Sequence, residues 1–206
     1  MAISYPLTLP AFRSRNFSFG LTPTVAVSVS PFTGQQQVYE WPNVTWQASF
    51  DVVASGRTEW SQLTAFMTSL RGRLGTVLIY PYQGVRPRGT TNTAGVTVAT
   101  GGAAAQARAL NLSGMGAAKT LLAGDFLQLG TGATARLHMV VENATADGSG
   151  NATVTIEPPL RVAYSAGAAV TLLKPSALMR SVVNEGASTV ELGGIITASF
   201  AFTEAL

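Results

Sequence analysis

The residue types that most often carry out catalysis are scarce in this chain, and those present lack catalytic spacing. His138 is its one histidine, and cysteine is absent, so a Ser-His-Asp triad would have to use His138. No Gly-x-Ser-x-Gly segment occurs to expose a nucleophilic serine. His138 lies in the alternating segment 134–141, which is typical of a β-strand, and we interpret it as a structural residue.

Segments that could bind a metal ion or phosphate are also incomplete. Residues 147–151, Asp-Gly-Ser-Gly-Asn, resemble the start of a calcium loop but lack the terminal glutamate of an EF-hand, so a hairpin turn is the stronger interpretation. The glycine-rich segment from Gly114 to Lys119 lacks the Gly-Lys-Ser/Thr ending of a phosphate-binding loop. The sequence therefore predicts a protein that is not an enzyme, with no catalytic, cofactor-binding or metal site and no cofactor.

One region concentrates positive charge and aromatic rings: Arg71, Arg73, Tyr80, Tyr82, Arg86 and Arg88. Such a combination can bind nucleic acid. Because the footprints of nucleic-acid-binding proteins are usually denser in charge, we favour a solvated rim or an inter-subunit surface.

The chain of 206 residues has a low content of charged residues, 11%, against about 25% in typical globular proteins. Such a surface favours burial against neighbouring molecules; the alternative is a small β protein with an exterior rich in Thr, Ser and Gly. No segment approaches the ~20 apolar residues of a membrane-spanning helix, and the N-terminus lacks a signal-peptide pattern. We therefore expect no membrane association and assembly in the cytoplasm, which the absence of cysteine fits.

Two alternating segments far apart in the sequence predict strands of one β unit. In the segment from Asn43 to Val53, one face collects the apolar residues Val44, Trp46, Ala48, Phe50 and Val52. Near the C-terminus, Ile196, Ala198, Phe200 and Phe202 do the same. A lone strand leaves its backbone groups unpaired, so we expect the C-terminal strand to pair with one that precedes the middle of the chain.

The sequence before residue 89 predicts further elements of this unit. Residues 1 to about 16 are interpreted as an irregular arm with Phe12, and Phe17 and Phe19 follow closely. Val25–Val29 reads as a strand, 31–34 as a turn, 35–41 as a short strand, and Pro42-Asn43 as a second turn. Gly75 to Tyr80 predicts another strand.

A single convincing helix follows the long strand. Thr58 is the expected N-cap, Glu59 complements the helix dipole, and Gly72 suits the C-terminal end. Its apolar stripe is expected to form a core face on the sheet: Trp60, Leu63, Phe66, Met67 and Leu70.

Between about residues 89 and 174 the sequence is rich in Gly, Ala and Thr, and short strands alternate with turns. This spacing predicts a small barrel or sandwich. The predicted fold is therefore mainly β: a β-sandwich belt domain with one α-helix (1–88 and 175–206), interrupted by an inserted β-barrel domain (89–174), OB-like or galectin-like.

Several segments together carry a resemblance to a known family: Ser30–Gln37, the strand around Trp46, Glu59–Gly72, Tyr80–Tyr82, Leu122–Leu129, Asp147–Gly150 and Ile156–Arg161. In this order they resemble the minor tail proteins of phages with long, non-contractile tails, and more specifically the distal tail protein.

The resemblance implies a virion structural protein at the tail tip. Distal tail proteins form a ring, commonly a hexamer, that joins the tail tube to the tip or hub and surrounds the DNA channel. The expected partners are thus other copies of this chain, the tail tube protein, the hub or tip protein and DNA in transit. The phenylalanine-containing arm would lie on a neighbour as a strap, and the arginine-rich region would lie at a subunit junction or near the channel.

A second hypothesis is a carbohydrate-binding β module of a phage adhesion device. Tyr164, Phe126 and the turn at Asp147 would then form a shallow sugar site. Such modules usually expose more aromatic residues than this segment contains, so the virion structural role is preferred.

Overall fold

The computed structural model describes residues 3–184, 188–190 and 195–206. It is mainly β, with 45% of residues in strands and 10% helical. In chain order the elements are β1 (Leu7–Thr8), β2 (Arg13–Val29), β3 (Gln36–Ser55), α1 (Arg57–Leu70), β4 (Thr76–Ile79), β5 (Thr97–Val98), β6 (Ala109–Ser113), β7 (Thr120–Leu121), β8 (Phe126–Leu129), β9 (Arg136–Val140), β10 (Ala144–Thr145), β11 (Ala152–Glu157), β12 (Val170–Thr171), β13 (Ala177–Ser181), β14 (Ser188–Val190) and β15 (Ile195–Glu204), with short 3-10 turns at Tyr82–Gly84 and Gly132–Thr134.

The described residues divide into two compact units. The barrel unit draws on Met1–Pro10, Leu74–Arg180 and Ala205–Leu206, and the hairpin unit draws on Ala11–Arg73 and Ser181–Glu204. The proposed boundaries of an inserted domain at 89 and 174 remain a prediction, since compactness alone does not establish independent folding.

The barrel unit contains a six-stranded sheet in the order β12-β8-β9-β11-β6-β5. Its two edges meet, because the Val98 amide donates to the Ala168 carbonyl at 2.9 Å and the Val170 amide donates to the Val96 carbonyl at 3.0 Å. The strands therefore form a nearly closed barrel, as the strand spacing predicts. Its interior is filled by buried aliphatic side chains, among them Leu110, Leu112, Leu127, Leu129, Val154 and Ile156.

A second set of strands in this unit contains β1, β4 and β13. β1 runs parallel to β4, with Leu7 opposite Val77, and β13 pairs with β4 in the antiparallel sense. β4 confirms the strand expected between Gly75 and Tyr80. Val77 and Ile79 are buried, and their neighbours in the strand are half-buried, which is the alternation of a strand with one covered face.

A buried carboxylate fixes the segment before the barrel to the barrel itself. Asp125 is 2% exposed. Its oxygens accept the backbone N–H groups of Arg88 at 2.7 Å, Gly89 at 3.2 Å and Leu122 at 2.8 Å. These bonds satisfy a charge that would otherwise be costly to bury.

In the hairpin unit, β3 is paired on one side with β15 and on the other with β2. β15 pairs with β3 in the antiparallel sense, from Thr203 opposite Gln47 to Ile195 opposite Ser55. Phe50 lies directly opposite Phe200, and their rings stack with centroids 5.5 Å apart. The expected partnership between the C-terminal strand and the long early strand is confirmed.

Helix α1 is buried along the part of its apolar stripe that follows the first turn. Leu63, Phe66 and Leu70 are buried, and the Phe66 ring meets that of Phe200 edge to face at 6.3 Å. Trp60 is the exception, since 38% of it is exposed. The prediction of a core face is therefore correct for the later turns of the helix and wrong for the first.

The helix ends differ from the expected caps. Gly56 occupies the N-cap without any side-chain hydrogen bond, and Thr58 lies inside the first turn. At the other end Arg71 takes the left-handed conformation, with φ of 49°, and Gly72 follows with φ of 63°. A Cβ on Gly72 would lie 2.5 Å from the backbone oxygen of Asn184, so this glycine serves close packing as well as helix termination.

Two sequence predictions about the early strands are wrong. The arm expected to be irregular up to residue 16 becomes strand β2 from Arg13, and Phe17 and Phe19 stack on Phe50 and Trp46 within the same unit. Pro42 does not end a strand, because β3 continues through it. The ladder instead shifts register between Thr22 and Thr24, which is how a strand accommodates prolines that lack an N–H donor.

Candidate assembly interface

The most unusual surface of the molecule is the end of the β2–β3 hairpin, residues 24–41, which we call the hairpin arm. The pairing of β15 with β3 reaches only to Gln47. Beyond that point, among the described residues, β2 and β3 pair only with each other. Every residue of the hairpin arm is exposed except Ser30, which is half-buried.

One face of the hairpin arm carries a row of valines. Residues directly opposite in an antiparallel pair share a face, and Val27 lies opposite Val38. Val25 and Val29 flank Val27 at alternate positions and so join the same face. Between 44% and 64% of each of these four side chains is exposed. They form an apolar cluster, and the same face carries Glu40 opposite Val25 and Gln36 opposite Val29.

The opposite face of the hairpin arm is aromatic. Trp41 lies opposite Thr24, and Tyr39 lies opposite Ala26. The Tyr39 and Trp41 rings contact each other edge to face with centroids 5.0 Å apart, yet more than half of Tyr39 is exposed, 59%. The hairpin arm therefore exposes apolar side chains on both faces.

The tip of the hairpin arm adds a third exposed apolar group. The predicted turn at 31–34 is confirmed, because the Ser30 amide donates to the Gln35 carbonyl at 2.9 Å and Gly34 adopts a φ of 69°. Phe32, at the apex of this turn, is 96% exposed. A fully exposed phenylalanine on a polar Gln- and Ser-rich turn is typical of a contact residue.

The hairpin arm lies in a stretch almost free of charge. From residue 16 to residue 50 the sequence contains a single charged residue, Glu40. Natural edge strands are usually blunted by lysines, other charges or prolines. Between Thr24 and Val29 the edge strand β2 has none of these, and its composition of valines, alanine and hydroxyl residues favours pairing with another strand.

These features make the hairpin arm a candidate for burial against another molecule. A two-stranded hairpin is at best marginally stable in water by itself, and here both faces would expose apolar side chains. Burial of these side chains would contribute a stabilising free energy of about 25 cal/mol for each Å² of apolar area removed from water. The desolvation penalty would be small because so few charges lie nearby.

The structure places His138 in the interior of the barrel unit. It is 1% exposed, and its Nδ1–H donates to the Pro158 carbonyl at 2.7 Å. Burial lowers the pKa of His138 from 6.5 to about 4. The bond to Pro158 raises this pKa, and the positive charges of Arg161 and Arg136 lower it further. Its Nε2 has no hydrogen-bond partner in the part of the chain that the structure describes, so no catalytic dyad forms around it.

The remaining candidate segments have structural contacts. The turn at Asp147 is confirmed, since the Gly150 amide donates to the Asp147 carbonyl at 3.0 Å. In the glycine-rich segment, the Lys119 ammonium donates to the Asn92 amide oxygen at 2.6 Å. No group of three or more potential metal ligands occurs among residues 3–184, 188–190 and 195–206.

The arginine-rich region is divided between the two units. Arg71 and Arg73 belong to the hairpin unit, and Arg86 and Arg88 belong to the barrel unit. The Arg88 guanidinium donates to the Ala123 carbonyl. In the barrel unit, the rings of the two tyrosines of this region meet edge to face at 5.8 Å, and Lys174 lies over one of them.

Comparisons with other proteins give no independent assignment. Neither models of known protein families nor curated protein sequences match this chain. Within the described residues, no helix combines the length and the apolar character that a membrane crossing requires. A functional hypothesis for this chain therefore depends on its own sequence and surface.

Sequence reasoning identified the strands of the hairpin arm but not their exposure. Alternating valines normally indicate one buried face, and the valines at 25, 27 and 29 follow that pattern while facing solvent. The available signal was the stretch from 16 to 50 with its single charge. A strand pair so poor in charge is a candidate for burial by another molecule.

Proposed function

We propose that this protein is a structural component of a phage virion, a distal tail adaptor that forms a homo-oligomeric ring, most simply a hexamer. The ring would join the tail tube to the tip or hub and surround the channel through which DNA passes. The resemblance in sequence pattern supports this role. The exposed hairpin arm is the structural observation that carries it, because burial against a protein partner would cover its exposed apolar side chains.

The two-sided character of the hairpin arm favours a ring over a simple dimer. A two-fold dimer that paired β2 edges would leave the outer edge of β3 in the arm uncovered. In a head-to-tail contact, the β2 edge of one copy meets the β3 edge of the next, and both edges of every copy are used. Contacts of this kind generate either a closed ring or an open filament.

The proposed partners follow from the position of such a ring. The two rims of the ring would contact the tail tube protein and the hub or tip protein, and DNA would pass through the opening. The protein would be assembled in the cytoplasm of the host and located at the tail tip of the virion. No chemical step is part of this role, so the proposal includes no enzymatic activity.

The first test compares matched lysine substitutions at exposed valines. Val27 in the hairpin arm and Val162 in the barrel unit are 56% and 52% exposed, so neither substitution disturbs a core. We expect wild-type protein and V162K to form rings with a central hole in negative-stain images, and V27K to remain monomeric. Equal assembly of V27K and wild type would contradict the assignment of the hairpin arm as the interface.

The second test locates the protein in the virion. Phage particles that carry a tagged copy are imaged by electron microscopy, which also covers the case in which the ring forms only on a tail template. Label in a ring at the tail tip is the expected result. Label on the capsid, or a single copy away from the tail axis, would refute the proposal.

A further inference from the structure

The barrel unit carries an open polar groove that the proposed ring does not use. It lies over strands β6 and β11, between the segment after β5 and the turn that follows β10, and has a volume of about 470 Å³. Small side chains, Ala99, Ala146 and Ala152, are part of its lining. Its rim is formed by six exposed polar residues: Thr100, Asn111, Thr145, Asp147, Asn151 and Thr153.

Two of these residues form a fixed hydrogen-bonding pair. Asn111 on β6 lies opposite Thr153 on β11, and the Thr153 hydroxyl donates to the Asn111 amide oxygen at 2.7 Å. This bond orients the Asn111 amide, so that its NH₂ group remains available to donate while the Thr153 oxygen remains available to accept. A donor and an acceptor side by side match a sugar hydroxyl, which itself both donates and accepts.

The negative charge of the groove disfavours anionic ligands. Asp147 is the single charged residue of its lining. Its carboxylate accepts the N–H groups of Asn151 and Ser149, each at 2.8 Å, and these bonds lower the pKa of Asp147. The group thus remains ionised at neutral pH, and an anionic ligand such as a nucleic acid or an acidic polysaccharide would be repelled.

We propose that this groove binds a neutral carbohydrate, with Asn111, Thr153 and Asn151 as the contact residues and Asp147 as an additional acceptor. The groove is open to solvent, so a sugar would contact it along one side and leave the other side exposed. Recognition would depend on hydrogen bonds and on contact with the alanine side chains of the lining. The aromatic residues expected from the sequence, Tyr164 and Phe126, do not line the groove.

The test uses saturation-transfer NMR on the full chain with neutral oligosaccharides of glucose, galactose and N-acetylglucosamine as probes. We expect at least one of the three to bind, and N111A and T153V each to weaken that binding about tenfold, the loss of one or two hydrogen bonds. The control is T93V, which changes an exposed threonine of the same unit outside the groove. Thermal melting of each variant verifies that the barrel remains folded.

Three outcomes would overturn the inference. These are the absence of saturation transfer from all three probes, equal binding by N111A, T153V and T93V, and tighter binding of heparin, an acidic probe, than of the neutral probes. None of these outcomes depends on ring formation, so a failure here is distinguishable from a failure of the proposed tail role.

Discussion

The buried Asp125 carboxylate accepts hydrogen bonds from three backbone amides. Its ion-pair partner is the solvent-exposed guanidinium of Arg88. We predict that D125A lowers the free energy of unfolding by about 2–4 kcal/mol, because it leaves three N–H groups without their acceptor in a buried site. Urea denaturation followed by circular dichroism measures the change. E142A, which alters an exposed carboxylate bonded to one threonine, is the control and is expected to change stability by under about 0.5 kcal/mol.

His138 makes the stability of the barrel unit dependent on pH. The folded pKa of about 4 lies below the ordinary value of 6.5, so between these values the unfolded chain binds a proton that the folded chain does not. Its contribution is fully present above pH 6.5 and is lost as the pH falls toward 4. We predict a loss of about 2 kcal/mol from this residue between about pH 7.5 and about pH 5.

The measurement compares urea unfolding of wild type and H138F at both pH values. The phenylalanine ring is of similar size and cannot titrate, so the variant should show a smaller pH dependence whatever its baseline stability. Parallel pH dependence in the two proteins would show that His138 does not titrate in this range.

At the residue scale, sequence reasoning was correct where a residue type has few roles and incomplete where it has many. The interpretation of the lone histidine in an alternating strand as structural agrees with its burial and with its bond to a backbone carbonyl. The burial of Asp125 was not foreseen. Two of the three backbone amides that bind it lie 36 and 37 residues away in sequence, and no local pattern reports such contacts.

At the scale of elements, helix α1 provides a matched comparison between a buried and an exposed residue. Leu63 is fully buried, whereas 38% of Trp60 is exposed. We predict that L63A lowers the free energy of unfolding by about 2–5 kcal/mol, the range for a large-to-small core substitution. W60A should cost clearly less, and equal losses in thermal or urea unfolding would mean that the first turn of α1 is packed as tightly as the rest.

The hairpin arm is the element whose removal should separate stability from assembly. We predict that replacing residues 26–39 with Asn-Gly, which forms a two-residue hairpin turn, leaves the melting temperature within about 3 °C of wild type. Ring formation should be lost, because the covering contacts are gone. Sedimentation and negative-stain images provide the readout, and rings formed by the shortened protein would exclude the hairpin arm as the assembly element.

The prediction of secondary-structure elements succeeded best where the spacing of apolar residues in the sequence matches the burial of their side chains. Val44, Trp46, Ala48, Phe50 and Val52 alternate along β3 and are all buried, so the period-two pattern located this strand correctly. It failed at Pro42, because β3 continues through this proline where the β2–β3 ladder shifts register. The decision between a turn and a bulge depends on the partner strand β2, which a single-strand pattern does not contain.

At the scale of the whole molecule, the six-stranded barrel, without β1, β4 and β13, is the part expected to fold alone. We predict that residues 86–176 form a folded fragment with dispersed NMR signals. A fragment that begins at residue 90 should be less stable by about 1–3 kcal/mol, because it lacks the amides of Arg88 and Gly89 that bind the buried carboxylate. If the longer fragment is unfolded by circular dichroism and NMR, the inserted-domain interpretation is incorrect.

The architecture as a whole was predictable as a class but not in its outer surface. Turn residues and strand spacing predicted a mainly β chain with a barrel and one helix, because these patterns depend on local geometry. The exposure of the hairpin arm depends on where β15 stops pairing with β3, near Gln47. That limit is set by a contact between distant segments, which only the folded structure reveals.

The pairing of β15 with β3 also bears on how the chain is made. Phe50 emerges from the ribosome well before its partner Phe200, and translation at roughly 5–20 residues per second separates them by on the order of ten seconds. During that interval the barrel unit has its own strands to pair, whereas β2 and β3 have only each other. The nascent chain therefore presents an aromatic ribbon with few charges, and its yield should depend on chaperones that shield this segment until synthesis is complete.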